Sequence, residues 1–219
     1  MNKKKEIKSW VLWAIVIGLL VLDQVVKLSV KTTMTLGESH NVLGNWFRWC
    51  FVENEGAAFG MSLGGNYGKL ILSLFRIVAI GVLVWFVGRL RKQKAPTGVV
   101  IGFVMILAGA IGNMIDSAVY GLIFSESTFT SVAQLLPEGG GYAPFLHGKV
   151  VDMLYFPLFH WPEWMPLIGG DLFFSPVFNF ADCCITVGVV LLFVYVLFFF
   201  DDKKKEAPQD GSDLPADHQ

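Results

Sequence analysis

Two aspartates in apolar surroundings, Asp152 and Asp182, are the residues of this sequence best suited to chemistry. Asp152 lies within the otherwise apolar run 150–154, and Asp182 lies where a long hydrophobic segment begins. An ionised carboxylate at the edge of a bilayer is costly, so such an aspartate is a candidate functional residue. Asn179 precedes Asp182 by three residues and shares its face on a helix. Both residue types also cap helices well, so the stretch fits a helix cap as well as a functional site.

Paired carboxyl groups can hydrolyse an amide bond. Two of them in a poorly solvated site cannot easily both ionise, so they share a proton. The ionised group can take a proton from an attacking water, and the protonated group can donate to the carbonyl oxygen. We expect Asp152 and Asp182 to form such a pair, with no metal and no cofactor.

Other hydrolytic chemistries have less support in the sequence. It holds no His-Glu-x-x-His zinc motif. Nothing in it positions Cys50 beside one of the histidines His40, His147 and His160. A Ser/Lys dyad stays open as an alternative, without a motif to support it.

The elements that must position these residues are four hydrophobic segments. The chain has 219 residues, of which 54% are hydrophobic and 16% are charged, whereas soluble domains have about 25% charged residues. Each segment is near the ~20 residues that span a bilayer. We predict one domain, 1–200, with membrane helices at about 9–30, 69–90, 98–116 and 178–200, outer-side loops at about 31–68 and 117–177, and a disordered polar tail at 201–219. The net charge of −1 gives no indication of nucleic-acid binding.

The basic residues predict the orientation of these helices. Lys and Arg are concentrated before the first segment, between the second and third, and at the start of the tail. By the positive-inside rule both termini are then cytoplasmic. The prominent polar residues all fall at the outer side: Asp23, Asn54, Asn113, Asp116, Asp152 and Asp182. Asp23 and Lys27 are four residues apart, so they can pair on the first helix as a structural or orienting pair.

Aromatic residues dominate the outer-side stretches. The stretch around Trp46 combines aromatic rings with β-forming residues, which predicts one or two strands at the membrane interface. The stretch 155–174 alternates aromatic, Pro and Gly residues, a composition that also suits the interface.

Five motifs in order resemble one known family. They are Asp23…Lys27, Asn54-x-Gly56-Ala57-Ala58-Phe59-Gly60, Gly109-Ala110-Ile111-Gly112-Asn113-x-x-Asp116, Val150-Val151-Asp152 and Phe178-Asn179-x-Ala181-Asp182. This set, with its topology, resembles the lipoprotein signal peptidases (signal peptidase II) from about residue 10 to 200. The resemblance implies a mainly α membrane protein with four transmembrane helices, a small outer-side β-cradle and an extended outer loop. It implies an aspartic endopeptidase of the bacterial inner membrane that removes the signal peptide of diacylglyceryl-modified prolipoproteins just before the lipidated cysteine.

The resemblance also implies roles for individual residues and partners. Asp152 and Asp182 match the catalytic dyad, and Asp23 and Lys27 match structural, orienting positions. The substrate-binding positions correspond to Asn54, Gly56, Gly109, Asn113, Asp116 and Asn179. The implied partners are lipid-modified prolipoproteins, membrane lipids and peptide antibiotic inhibitors such as globomycin. The rival interpretations are a proton-coupled transporter or channel, which would place carboxylates near the midplane, and a scaffold whose aspartates only cap helices.

The sequence departs from the family pattern in two ways. The family usually has Arg directly after the aspartate matched by Asp116, and this chain has Ser117. We expect position 117 to be partly wet, and hypothesise that Lys149 or Arg48 supplies the missing charge. The stretches 122–149 and 155–175 are longer than expected, and their composition does not decide what they do.

Overall fold

Four long apolar helices form the body of the protein. The computed structural model describes residues 7–55 and 65–199. The helices are α1 (Ser9–Thr33), α2 (Gly65–Lys92), α3 (Thr97–Ile115), the short α4 (Gly121–Ile123) and α5 (Phe180–Phe199). Four segments are long and apolar enough to cross a membrane: Ser9–Thr33, Gly68–Lys92, Thr97–Ile123 and Phe180–Phe198. The predicted mainly helical membrane architecture is confirmed.

The third helix continues past the end predicted for it near residue 116. After Ile115 the backbone widens into a π-helical turn, Asp116–Tyr120, before α4 completes the segment. The Ser117 hydroxyl donates to the Asn113 carbonyl at 3.1 Å, a local side-chain bond that often accompanies such departures from α geometry. Wide turns of this kind are frequent at functional sites.

Close packing of α3 against α5 depends on glycines. A Cβ on Gly102 would lie 2.9 Å from Leu192, and one on Gly188 would lie 2.6 Å from the Gly102 carbonyl oxygen. Because real Cβ atoms do not approach so closely, these glycines allow the two backbones to touch. α3 also packs against α1 and α2, which makes it the central helix of the bundle.

A small antiparallel sheet lies beyond one end of the bundle. Its strands are β1 (Ser39–Leu43), β2 (Phe47–Asn54), β3 (Val150–Tyr155) and β6 (Val177–Phe178), in the order β1-β2-β3-β6. β4 (Phe159–His160) and β5 (Leu172–Phe173) form a separate hairpin. The strands predicted around Trp46 are therefore present. β3 runs between β2 and β6, so it carries Asp152 at the centre of the sheet.

A row of aromatic rings joins the sheet to the hairpin. Phe156 stacks on Phe47 with ring centroids 4.7 Å apart and on Phe178 at 5.7 Å. The hairpin strands add stacked rings at Phe159 and Phe173, 4.7 Å apart. Beyond the hairpin strands, the connecting loop exposes further large apolar side chains. This is the segment whose composition predicts a position at the membrane interface.

The long stretch after α4 folds back onto the end of α3. The amide of Gly148 donates to the Ser117 carbonyl at 2.8 Å, and that of Ala143 donates to the Gly121 carbonyl at 2.9 Å. Ser73 of α2 donates to the Leu146 carbonyl at 2.8 Å. The stretch between α4 and β3, which is longer than expected from the sequence, therefore hydrogen-bonds to both α2 and the end of the third membrane segment.

Candidate active site

Asp152 lies at the centre of the sheet, on β3, with only 3% of its surface exposed. The Asn179 amide donates to one of its oxygens at 2.6 Å, and the Asn54 side chain also hydrogen-bonds the carboxyl group. Burial, reinforced by the nearby charge of Asp182, raises the pKa of Asp152 to about 7. The group can therefore hold or release a proton near neutral pH.

Asp182 lies in the first turn of α5, where it forms a reciprocal cap with Asn179. Its backbone amide donates to the Asn179 side-chain oxygen at 3.0 Å, and its carboxylate accepts from the Asn179 backbone amide at 3.2 Å. This is the geometry of a capping box. The stretch is therefore both a helix cap and part of the candidate site, because Asn179, which caps α5, also contacts Asp152.

Asn113 of α3 joins the two aspartates. Its amide nitrogen donates to Asp182 at 2.8 Å. Its side-chain oxygen accepts from the Asn179 amide at 3.0 Å, and the same amide nitrogen of Asn179 donates to Asp152. Two asparagines thus connect the carboxyl groups of β3 and α5. This connection fixes the position of the two acids relative to each other.

A buried ion-pair network supports this arrangement from α1. Lys27 is fully buried and lies 3.0 Å from Asp23 and 2.8 Å from Asp116. It also donates to Asn113 at 2.9 Å. The second oxygen of Asp23 accepts from the Ala181 amide at 2.9 Å. A buried lysine is tolerated when it is paired and hydrogen-bonded, and here the same contacts hold α1, α3 and α5 together.

Asp116 belongs to this network and has no exposed surface. Besides pairing with Lys27, it accepts from the Val151 backbone amide at 3.2 Å, and so it is tied to the strand that carries Asp152. Gln24 donates to it at 2.9 Å. The resemblance places Asp116 among substrate-binding residues; in the structure its carboxylate is engaged by Lys27, Gln24 and the Val151 amide. The part played by Gln24 was not predicted, although its position next to Asp23 is a signal for it.

The other predicted substrate-binding positions surround the two aspartates in different ways. Asn54 ends β2 and contacts Asp152. Gly109 faces the start of α5 so closely that a Cβ there would collide with the Ala181 carbonyl oxygen. Gly56 lies outside the described residues. Within residues 7–55 and 65–199, no three His, Cys, Asp or Glu side chains are grouped to hold a metal ion.

The environment of Ser117 differs from the expectation. Ser117 is buried, with 2% exposure, and not partly wet. Its hydroxyl accepts a hydrogen bond from the guanidinium of Arg76 at 2.8 Å. Lys149 instead pairs with Glu53 and Glu126. The positive charge beside Ser117 therefore comes from Arg76 of α2. In the sequence, this residue is marked only by being a charge within an apolar segment.

Comparison with known proteins identifies the family. A family model described as signal peptidase (SPase) II matches residues 15–198. A lipoprotein signal peptidase of Porphyromonas gingivalis is 52% identical over 186 residues, covering 83% of this chain and 80% of that protein. One of Amoebophilus asiaticus is 35% identical over 191 residues, covering 84% and 77%. One of Listeria monocytogenes is 29% identical over 192 residues, covering 88% and 95%.

Solved structures agree with the fold. One described as a bacterial membrane enzyme, determined by the in meso method at 1.9 Å resolution, has a TM-score of 0.60 at 24% identity and covers 90% of this chain and 99% of its own. Another, at 2.3 Å resolution, has a TM-score of 0.58 at 22% identity and covers 96% and 99%. The family model spans most of the sequence and the relatives match it over most of their lengths, so the chain belongs to the signal peptidase II family of peptidases.

Proposed function

We propose that the protein is an aspartic endopeptidase that removes the signal peptide of diacylglyceryl-modified prolipoproteins, just before the lipidated cysteine. The observation that carries the aspartic mechanism is the connection of Asp152 to Asp182 through Asn179 and Asn113. The raised pKa of Asp152 supports it, because one acid of such a pair must hold a proton while the other does not.

The two carboxyl groups take different parts in the reaction. Asp182 accepts two hydrogen bonds, which suits the carboxylate that takes a proton from the attacking water. Asp152, with its pKa near neutrality, donates its proton to the scissile carbonyl oxygen. The water oxygen then bonds to the carbonyl carbon. When the carbon–nitrogen bond breaks, the proton held by Asp182 passes to the leaving amine and Asp152 recovers its own.

The neighbouring residues position these groups and the substrate. Asn54, Asn113 and Asn179 hold the two acids and offer amide groups to a peptide backbone. Gly109 lets α3 approach the start of α5 closely, which brings Asn113 within reach of Asp182. Asp23, Lys27 and Asp116 hold the helices and β3 in place from beneath.

We place the protein in the bacterial inner membrane with both termini cytoplasmic and the site on the outer side. At the opposite end of the bundle from the sheet, Arg91 donates to Ser9 at 2.6 Å. The start of α1 and the end of α2 therefore meet. In the sequence, the residues just before α1 and those at the end of α2 are both rich in Lys and Arg. This clustering supports the orientation expected from the positive-inside rule.

Cleavage of a lipidated precursor by purified variants tests the proposal. Asp152→Asn and Asp182→Asn should each abolish cleavage, because an amide keeps the shape of the side chain but cannot exchange the proton. Residues that act as a unit give losses that are not additive, so the double variant should be little worse than either single variant. An unlipidated precursor should not be cleaved.

The matched control is Asp171→Asn, an exposed aspartate on the β4–β5 hairpin, which should cleave normally. Circular dichroism and gel filtration check that every variant is folded. Near-normal turnover by folded Asp152→Asn or Asp182→Asn would overturn the aspartic mechanism.

A further inference from the structure

Arg76 is a charged side chain within a membrane-spanning segment. It lies in the span Gly68–Lys92, about 12 Å from the end near Gly68 at 1.5 Å per residue. An arginine within a membrane helix is costly to insert. Such a charge is usually retained for a function, and it faces the bundle interior or a polar cavity.

The surroundings of Arg76 connect it to the candidate site. Its guanidinium donates to Ser117 at 2.8 Å, and Ser117 in turn donates to the carbonyl of Asn113, the residue that holds Asp182. Its charge also interacts with those of Asp182, Asp116 and Asp152. The guanidinium is therefore linked to the candidate site through Ser117 and Asn113.

Arg76 has donors to spare in this position. A guanidinium carries five N–H donors and no acceptor. Among the described residues, Arg76 forms one side-chain hydrogen bond, to Ser117, and no ion pair within 4 Å. It is half-buried. The remaining donors are therefore available to an acceptor oxygen that a bound ligand brings close to Ser117.

We propose that Arg76 binds a main-chain carbonyl oxygen of the substrate's signal peptide, and that it supplies from α2 the guanidinium that the family pattern carries at position 117. This inference rests on the proposed peptidase activity. A peptide substrate brings carbonyl acceptors into a site that otherwise offers carboxylates already engaged by Lys27, Asn113 and Asn179. Arg76 and Ser117 are in direct contact, so a long side chain from either position reaches the same region.

The position of the Arg76 guanidinium explains why a small residue, Ser117, fits at position 117. A second arginine at position 117 would place two guanidiniums together in a poorly solvated site, where like charges repel strongly. Ser117 is small, buried and able to accept a hydrogen bond, so it fits beside an arginine that arrives from another helix. Lys149, one of the two residues expected from the sequence to supply this charge, is engaged by Glu53 and Glu126.

Steady-state cleavage of a synthetic lipidated precursor tests this inference. Arg76→Gln keeps an N–H donor for Ser117 but removes the positive charge and the other N–H donors of the guanidinium. Hydrogen bonds to charged groups contribute roughly 1.5–3 kcal/mol, so KM should rise about 10- to 100-fold. Because the contact is made to the bound peptide and not to the reacting atoms, kcat should change by less than about threefold.

An exchange of the two residues separates this role from a structural one. The double variant Arg76→Ser/Ser117→Arg conserves composition and charge, and it should recover KM to within about threefold of wild type. Ser117→Arg alone should raise KM or lower the thermal midpoint because it crowds two guanidiniums. The matched control is Arg89→Gln on the same helix, whose guanidinium stacks over Trp85 at 5.6 Å and which should leave KM unchanged.

Three results would overturn the inference in distinguishable ways. Failure of the wild type to cleave the precursor would remove the proposed activity, and this inference with it. An unchanged KM in folded Arg76→Gln, while the wild type cleaves, would remove only the role of Arg76. A folded exchange variant no better than Arg76→Gln would show that position 117 cannot provide the same contact.

Discussion

Replacing Asp152 by asparagine should stabilise the folded protein at neutral and alkaline pH while it abolishes cleavage. Asp152 is buried, and its pKa is raised from an ordinary 3.8 to about 7. The folded state therefore holds a proton that the unfolded chain releases between these values. Because the folded state binds more protons, the free energy of unfolding falls as pH rises from about 4 to about 7, and it levels off above that.

The size of the effect follows from the shift. About three pKa units at about 1.4 kcal/mol each give at most about 4 kcal/mol above pH 7. For a chain of this size each kcal/mol moves the thermal midpoint by about 2–4 °C, so the upper limit is about 8–16 °C. Asparagine avoids this cost because it carries no charge, and its side-chain oxygen still accepts from the Asn179 amide, which lies 2.6 Å away in the wild type.

The assay is thermal unfolding of both proteins in one detergent from pH 5 to pH 9. The thermal midpoint of Asp152→Asn should exceed that of the wild type by a margin that grows up to about pH 7 and is constant at higher pH. Cleavage by the wild type should decline over the range in which the margin levels off, since the proton that is lost is the one to be donated. Asp171→Asn, on the exposed hairpin, should show no such margin. A margin that is flat with pH, or that shrinks as pH rises, would refute the reasoning.

Two further predictions concern the support and the orientation of the site. Asp23→Asn should lower the thermal midpoint more than it lowers turnover per folded molecule, since Asp23 joins α1 to Lys27 and to the Ala181 amide; lost turnover at full stability would assign it a direct part in the chemistry. In a cysteine-free background, single cysteines at Asn54 and Gly140 should react with an impermeant thiol reagent in cells with a permeabilised outer membrane, whereas one at Lys92 should not. Labelling at Lys92 but not at Gly140 would reverse the proposed orientation.

The four membrane helices and the two candidate aspartates could be predicted because their signals repeat or cluster along the sequence. Four apolar segments near the length of a bilayer predicted four helices, because a membrane-spanning backbone must satisfy its own hydrogen bonds. Carboxylates in apolar runs marked Asp152 and Asp182, which the structure connects through two asparagines. The capping and functional interpretations of Asn179 could not be separated in the sequence because one side chain makes both sets of contacts.

Features that depend on contacts between distant segments were not readable. Arg76 and Ser117 are 41 residues apart in the chain, and neither residue type nor spacing indicates that they meet. The widened turn at Asp116–Tyr120 carries the third membrane segment beyond the end predicted for it, and no motif in the sequence indicates it. Asp116 contacts Lys27 and the Val151 amide, and one sequence motif cannot show contacts to two other segments.

The buried network around Lys27 also imposes an order on synthesis of the protein. Lys27 contacts Asn113, 86 residues later in the chain, and at about 5–20 residues per second the ribosome needs about 4–17 s to reach it. The Ala181 amide, which Asp23 accepts from, is 158 residues away and needs about 8–32 s. The i,i+4 pair of Asp23 and Lys27 lies within α1, so it can form before either partner has been made. Two residues that later hold the site together can therefore neutralise each other in the nascent first helix.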